Sequence, residues 1–201
     1  MNEILIISAE EFPKEREKAE TKLGNLVADL SLKIANQLYK PINNVSIDFC
    51  LLNSGGLRTS LPKGEITRGK IFELMPFENE LVVITINGQK YYDLIKYLIN
   101  SPQPIAGAFS IKYKAIPDKN SIKYGEVFFN VEKNYGSKGT IKIITTDYLA
   151  NGGDKMNFFL NPIRVEPLGI KLREAIIQYC MELNKKGNQL TGKLDGRITF
   201  E

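Results

Sequence analysis

A single α/β domain built on a mixed sheet flanked by helices is the fold this sequence predicts. Three observations point there. Apolar runs with helical spacing alternate with β-rich runs along the chain. Some successive strands are separated by a helix while others are joined by short polar loops, and no repeat or low-complexity linker divides residues 1–201. The length suits one large domain, because 201 residues with 43% hydrophobic content bury a sizeable core.

A polar, charged segment over 14–22 leads into Leu23, Leu26, Val27, Leu30 and Ile34, whose spacing marks the first amphipathic helix. Residues 45–52 are β-rich and end at a glycine loop. The stretch 66–75 reads as a short helix with Thr67 as its cap and Pro76 as its stop. A strand over 81–86 runs into an Asn87-Gly88 turn, and Tyr91, Leu94, Ile95, Leu98 and Ile99 line one face of a second long helix. Strands over 109–115, 127–131 and 140–146, separated by the polar loops Pro117-Asp118-Lys119-Asn120 and Asn134-Tyr135-Gly136, read as a β meander. Leu172, Ala175, Ile176, Tyr179 and Leu183 define a last helix, followed by a closing strand over 197–200.

Charge and composition exclude several function classes. The formal charge is only +4, and basic residues are dispersed among acidic ones, as in Glu15-Arg16-Glu17-Lys18-Ala19-Glu20, which argues against a nucleic-acid partner. No run approaches the ~18 apolar residues of a transmembrane segment. The start, Met1-Asn2-Glu3-Ile4, lacks a basic region followed by an apolar stretch, so no signal peptide is read there. Cys50 in an apolar run and Cys180 on a helix read as core residues, with a disulfide depending on their separation in space. Asn44-Val45-Ser46 matches the glycosylation tripeptide, a match frequent by chance.

Familiar chemistries also fall away. Gly64-Glu65-Ile66-Thr67-Arg68-Gly69-Lys70 imitates a phosphate-binding P-loop, but Ile71 stands where magnesium needs a hydroxyl and no apolar strand leads into it. With no histidine and two distant cysteines, the chain offers neither a Ser-His or Cys-His pair nor a zinc site. Asp48, Asp147 and Asp154 are the carboxylates that a magnesium ion would need; they read as solvated or capping groups.

The informative features are two glycine-bearing loops about a hundred residues apart, Asn53-Ser54-Gly55-Gly56-Leu57-Arg58 and Asp147-Tyr148-Leu149-Ala150-Asn151-Gly152-Gly153-Asp154. Each follows a strand-like run and carries a charged residue where permissive glycine backbone lets a ligand approach. Taken alone, Phe77 after the helix-ending proline reads as core packing, Tyr148 fits core packing and ligand contact equally, and Arg58 reads as a surface arginine. Asn53, Asn79 and Asp154 fit structural turns as well as ligand contact, and Gly107 is merely a turn glycine.

In order and spacing, the two loops, Met75-Pro76-Phe77-Glu78-Asn79 and the upstream Leu23-Gly24-Asn25-Leu26 resemble the C-terminal, substrate-recognition domain of the 5'-nucleotidase family. The resemblance runs from about residue 15 to the closing Gly196-Arg197-Ile198-Thr199-Phe200. It implies a nucleotide or nucleoside ligand whose base is sandwiched by Phe77 and Tyr148, aromatic faces being suited to stacking. It further implies that Arg58 contacts phosphate or the ribose side, that Asp154 accepts from sugar hydroxyls, that Asn53 and Asn79 meet the ribose and base edge, and that backbone at Gly107 approaches the base.

The resemblance places catalysis elsewhere, on a metallophosphoesterase domain or chain holding two divalent metals through aspartate, histidine and asparagine. No catalytic residue and no cofactor is expected in this chain. A periplasmic or extracellular setting follows from the resemblance alone. Two departures stand out: the further arginine usual in the family is expected near Glu17, with Arg16 or Lys22 as substitutes, and Tyr148 replaces the more usual phenylalanine. The alternatives are a stand-alone nucleoside- or nucleotide-binding or interaction module, and a scaffold whose pocket is no longer used.

Overall fold

Phe49 and Leu51 face one side of a short strand, Cys50 and Leu52 the other, and all four are buried. The same division runs through the neighbouring strands, so the central sheet is covered on both faces. A strand apolar on both sides loses the alternating pattern of a half-exposed one.

The computed structural model describes residues 1–15, 18–107, 109–115, 123–129 and 139–200. Its elements run β1 (Ile4–Ser8), α1 (Lys22–Asn43), β2 (Phe49–Leu51), β3 (Gly64–Thr67), α2 (Arg68–Leu74), β4 (Glu80–Asn87), α3 (Gly88–Asn100), β5 (Ile105–Gly107), β6 (Phe109–Ala115), β7 (Lys123–Phe129), β8 (Thr140–Thr146), α4 (Asp147–Ala150), β9 (Arg164–Lys171), α5 (Leu172–Lys185) and β10 (Ile198–Phe200). The central sheet has the order β5-β2-β8-β4-β9, with β2 and β8 parallel and the other neighbours antiparallel. This is the mixed sheet flanked by helices that the sequence predicts.

One apolar cluster joins Leu23, Val27, Leu30 and Ile34 of α1 to Ala175 and Ile176 of α5 and to Cys50, Val83 and Ile144 of the sheet. The other joins Leu94, Leu98 and Ile99 of α3 to Phe49, Ile84 and Ile143, with Ile111 and Ile198 beyond. Thr21, Thr67 and Asn87 cap α1, α2 and α3, each accepting from a backbone N–H in the first turn. Such caps contribute about 1 kcal/mol each.

Several expectations are corrected. Residues 64–67 are a strand paired antiparallel with β1, so Thr67 caps a helix that starts only at Arg68. The Asn87-Gly88 turn is the junction where β4 passes directly into α3. The meander does not exist as a unit. β6 and β7 pair with each other and β6 pairs in parallel with β10, whereas β8 lies in the central sheet between β2 and β4. The loops at 117–120 and 134–136, and the end of the strand expected over 127–131, lie outside the described residues. Strands β1, β5 and β9 have no counterpart in the sequence reading. Cys50 and Cys180 are buried free thiols, as expected of core residues. No helix among the described residues is long and apolar enough to cross a membrane.

Candidate functional site

Strand polarity brings the distant motifs together. Because β2 and β8 are parallel neighbours, the glycine loops that follow them leave from the same edge of the sheet. Ligands of open α/β sheets gather at such carboxyl ends. Strand β4 runs the other way, with Leu81 opposite Thr146, so residues 77–79 preceding it arrive at that same edge. The result is a pocket of about 350 Å³ lined by Asn53, Gly55, Gly56, Arg58, Phe77, Asn79, Tyr148 and Asp154. That volume falls in the range of small-molecule sites.

The side chains in this pocket form a connected array. Asp154 accepts from the Asn53 amide at 2.7 Å on one carboxylate oxygen and from the Tyr148 hydroxyl at 2.9 Å on the other. Its backbone carbonyl accepts from the Tyr97 hydroxyl at 3.0 Å. Asp154 has φ 50° and Lys155 φ 63°, so two consecutive non-glycine residues occupy the left-handed region. Such strain persists where neighbouring contacts over-determine it. Hydrogen bonding to the Asp154 carboxylate raises the Tyr148 phenol above its ordinary value, which keeps the hydroxyl protonated as a donor.

Phe77 is 41% exposed and Tyr148 47%, so neither ring is a core residue. The Arg58 guanidinium lies 5.8 Å from the centre of the Phe77 ring and donates to the Gly55 carbonyl at 3.3 Å. The Asn79 side chain makes no hydrogen bond among the described residues, while its carbonyl accepts from Leu172 N–H at 3.0 Å. A second cavity of about 460 Å³, lined in part by Lys14, Ser54, Gly55, Leu57 and Arg58, adjoins the first through Gly55 and Arg58.

The glycines are needed for different reasons. At Gly56 a Cβ would sit 2.9 Å from the Asn53 Oδ1, blocking the amide that reaches Asp154. Gly107 has φ +107°, and a Cβ there would meet the Asp48 carbonyl at 2.4 Å. It pairs with Phe49 at the start of β2, about 13 Å from Asn53 at ~3.3 Å per residue. Of the sequence-predicted site residues, Gly107 is the one that the structure does not bring to the pocket.

Several positioning residues escaped the sequence reading. Gln103, at the entry to β5, accepts from the Ser54 N–H at 2.9 Å and holds the first glycine loop. Arg173, 5% exposed, lies 4.0 Å from the Phe72 ring centre and donates to the Met75 and Pro76 carbonyls at 3.4 Å. It also pairs with Glu78, as does Lys171, so both neighbours of Phe77 are tied to the start of α5. Hydrogen bonds from Lys171 and Arg173 hold the Glu78 carboxyl down at about 2. No motif announced these contacts; only the charged Lys171 and Arg173 flanking an apolar helix start gave a signal.

Lys22, one expected substitute for the missing arginine, is paired with Glu10 and does not line the pocket. Arg16 and Glu17 lie outside the described residues. Asp48 accepts from the Lys142 N–H at 3.0 Å, and Asp147 accepts from Glu80 and Tyr148 N–H groups, so each is engaged separately from Asp154. Among the described residues no group of three or more acidic or cysteine side chains is placed to hold a metal ion.

Known proteins share this sequence pattern and this fold. The family model for the 5'-nucleotidase C-terminal domain matches residues 5–161. The trifunctional nucleotide phosphoesterase protein YfkN of Bacillus subtilis is 28% identical over 190 residues, which are 89% of this chain and 12% of that protein. A 5'-nucleotidase of Vibrio parahaemolyticus is 27% identical over 67% of this chain and 22% of its own length. The 5'-nucleotidase precursor of Thermus thermophilus superposes over 100% of this chain and 40% of its own, with a TM-score of 0.80 at 24% identity, a likeness of fold. The chain therefore spans 12%, 22% and 40% of the lengths of these three relatives.

Proposed function

Because the chain belongs to the 5'-nucleotidase C-terminal domain family, we propose that it is the substrate-recognition half of a nucleotide-hydrolysing assembly. It binds a nucleoside or nucleotide and orients it for phosphoester hydrolysis by a separate metallophosphoesterase domain or chain, a step of nucleotide breakdown. A periplasmic or extracellular setting accords with this reading.

The observation that carries it is the pairing of two exposed aromatic rings, Phe77 and Tyr148, on one pocket with a doubly held carboxylate, Asp154. Exposed rings leave apolar faces in water, a cost recovered when a base stacks on them, roughly 1 to 3 kcal/mol per base. Asp154 and the amides of Asn53 and Asn79 supply acceptors and donors for the ribose and base edge. Arg58 offers a fork of donors suited to phosphate oxygens at the boundary with the adjoining cavity.

Calorimetric titration of the chain with adenosine and AMP, beside the Tyr148→Ala variant, tests the reading. Binding by the wild type that the substitution abolishes supports it. A folded wild type that binds no nucleoside or nucleotide overturns it.

A further inference from the structure

We propose that the Tyr148 hydroxyl is a positioning group that presets the Asp154 carboxylate for the vicinal diol of a ribose, so that the site selects ribonucleosides over their deoxy counterparts. The inference rests on the nucleoside-binding reading above and goes beyond it, since ring stacking alone needs only a phenyl group. The Tyr148 hydroxyl is one atom more than stacking requires, and the structure gives that atom a partner.

The lone pairs of Asp154 set the argument. A carboxylate has two acceptor sites on each oxygen. Asn53 occupies one site on the first oxygen at 2.7 Å, and Tyr148 one on the second at 2.9 Å. One site remains on each oxygen, and the group is fixed in orientation by both tethers. Two adjacent hydroxyl donors match two adjacent acceptors, whereas a deoxy sugar leaves one of them to water. The Tyr97 hydroxyl holds the Asp154 backbone at 3.0 Å, so the residue is anchored by main chain and side chain together. Without the Tyr148 hydroxyl the second oxygen is free to turn toward solvent, and the acceptor pair must be ordered again on binding.

The test is Tyr148→Phe, which keeps the ring, titrated with adenosine and with 2',3'-dideoxyadenosine. Adenosine affinity is expected to fall about tenfold, in line with one hydrogen bond to a charged group, while dideoxyadenosine changes less than about twofold. Combining the substitution with Asp154→Asn should abolish that difference, because the hydroxyl acts only through the carboxylate. In Asp154→Asn alone the Tyr148 phenol should titrate at lower pH than in the wild type, a readout independent of ligand. Equal losses for both ligands, or tighter adenosine binding by Tyr148→Phe, overturn the proposal. A wild type that binds adenosine and dideoxyadenosine equally sinks diol selection while leaving nucleoside recognition intact, and a wild type that binds neither sinks both.

Discussion

A Cβ on residue 153 would lie 2.5 Å from Cε1 of Tyr148 and 2.6 Å from that residue's carbonyl oxygen. The ring sits where it does because Gly153 has no side chain. Turning the ring away would relieve only part of the clash, since the carbonyl belongs to α4. The Gly153→Ala variant is therefore expected to displace the loop that presents both Tyr148 and Asp154. Overpacking of this kind costs about 1 to 3 kcal/mol. Thermal unfolding should show a lowered Tm, and nucleoside affinity should fall together with it. Gly55→Ala is the control: its Cβ would lie 3.6 Å from the nearest atom, an ordinary contact, and Tm should be nearly unchanged.

Arg58 separates the phosphate from the rest of the ligand. Its guanidinium lies over Phe77 and borders both cavities. Arg58→Ala should weaken AMP at least about tenfold more than adenosine, as expected for loss of a charge-assisted hydrogen bond, and should flatten the salt dependence of AMP binding. Equal losses for the two ligands would remove Arg58 from any phosphate role. Phe77→Ala should instead weaken both by a similar factor, because each carries the same base.

The folding pattern explains what the sequence disclosed and what it hid. Helix α1 was legible because Leu23, Leu26, Val27, Leu30 and Ile34 share one buried face, and α3 for the same reason. Strand β9 was hidden because none of its residues is buried and Pro167 and Gly169 interrupt it, features tolerated at a sheet edge. Strand β8 was assigned to the wrong sheet because both faces of its apolar run are covered, which erases the period that would identify its neighbours. The pocket residues were legible through their motifs. Their buttresses were not, since Gln103 and Arg173 act by contacts with residues 49 and 97–98 positions away in sequence.

Glu78 gives the Phe77 loop a dependence on pH. Its folded-state carboxyl titrates at about 2, against an ordinary 4.5, through hydrogen bonds from Lys171 and Arg173. A depressed carboxyl contributes stability that is complete above the ordinary value and is lost as pH falls from about 4.5 through about 2. Urea midpoints should therefore drop across that window in the wild type and drop less in Glu78→Gln. Because Glu78 is largely exposed, added salt should shrink the difference. Identical acid profiles for the two proteins would show that the pair does not tie the loop.

The two thiols report on the sheet from its interior. Burial pushes the Cys180 thiol up to about 12 and raises the Cys50 thiol as well, so neither supplies thiolate near neutral pH. In native buffer a disulfide reagent such as Ellman's should label both slowly, and in urea both should react at once. Cys50 belongs to β2, two residues before the pocket's Leu52-Asn53 exit, whereas Cys180 lies on α5 in the same apolar cluster and on an element that contributes no residue to the pocket. A nucleoside that stiffens the loop after β2 should slow Cys50 labelling more than Cys180 labelling. Equal protection of both would mean that the ligand raises global stability and does not act through that strand.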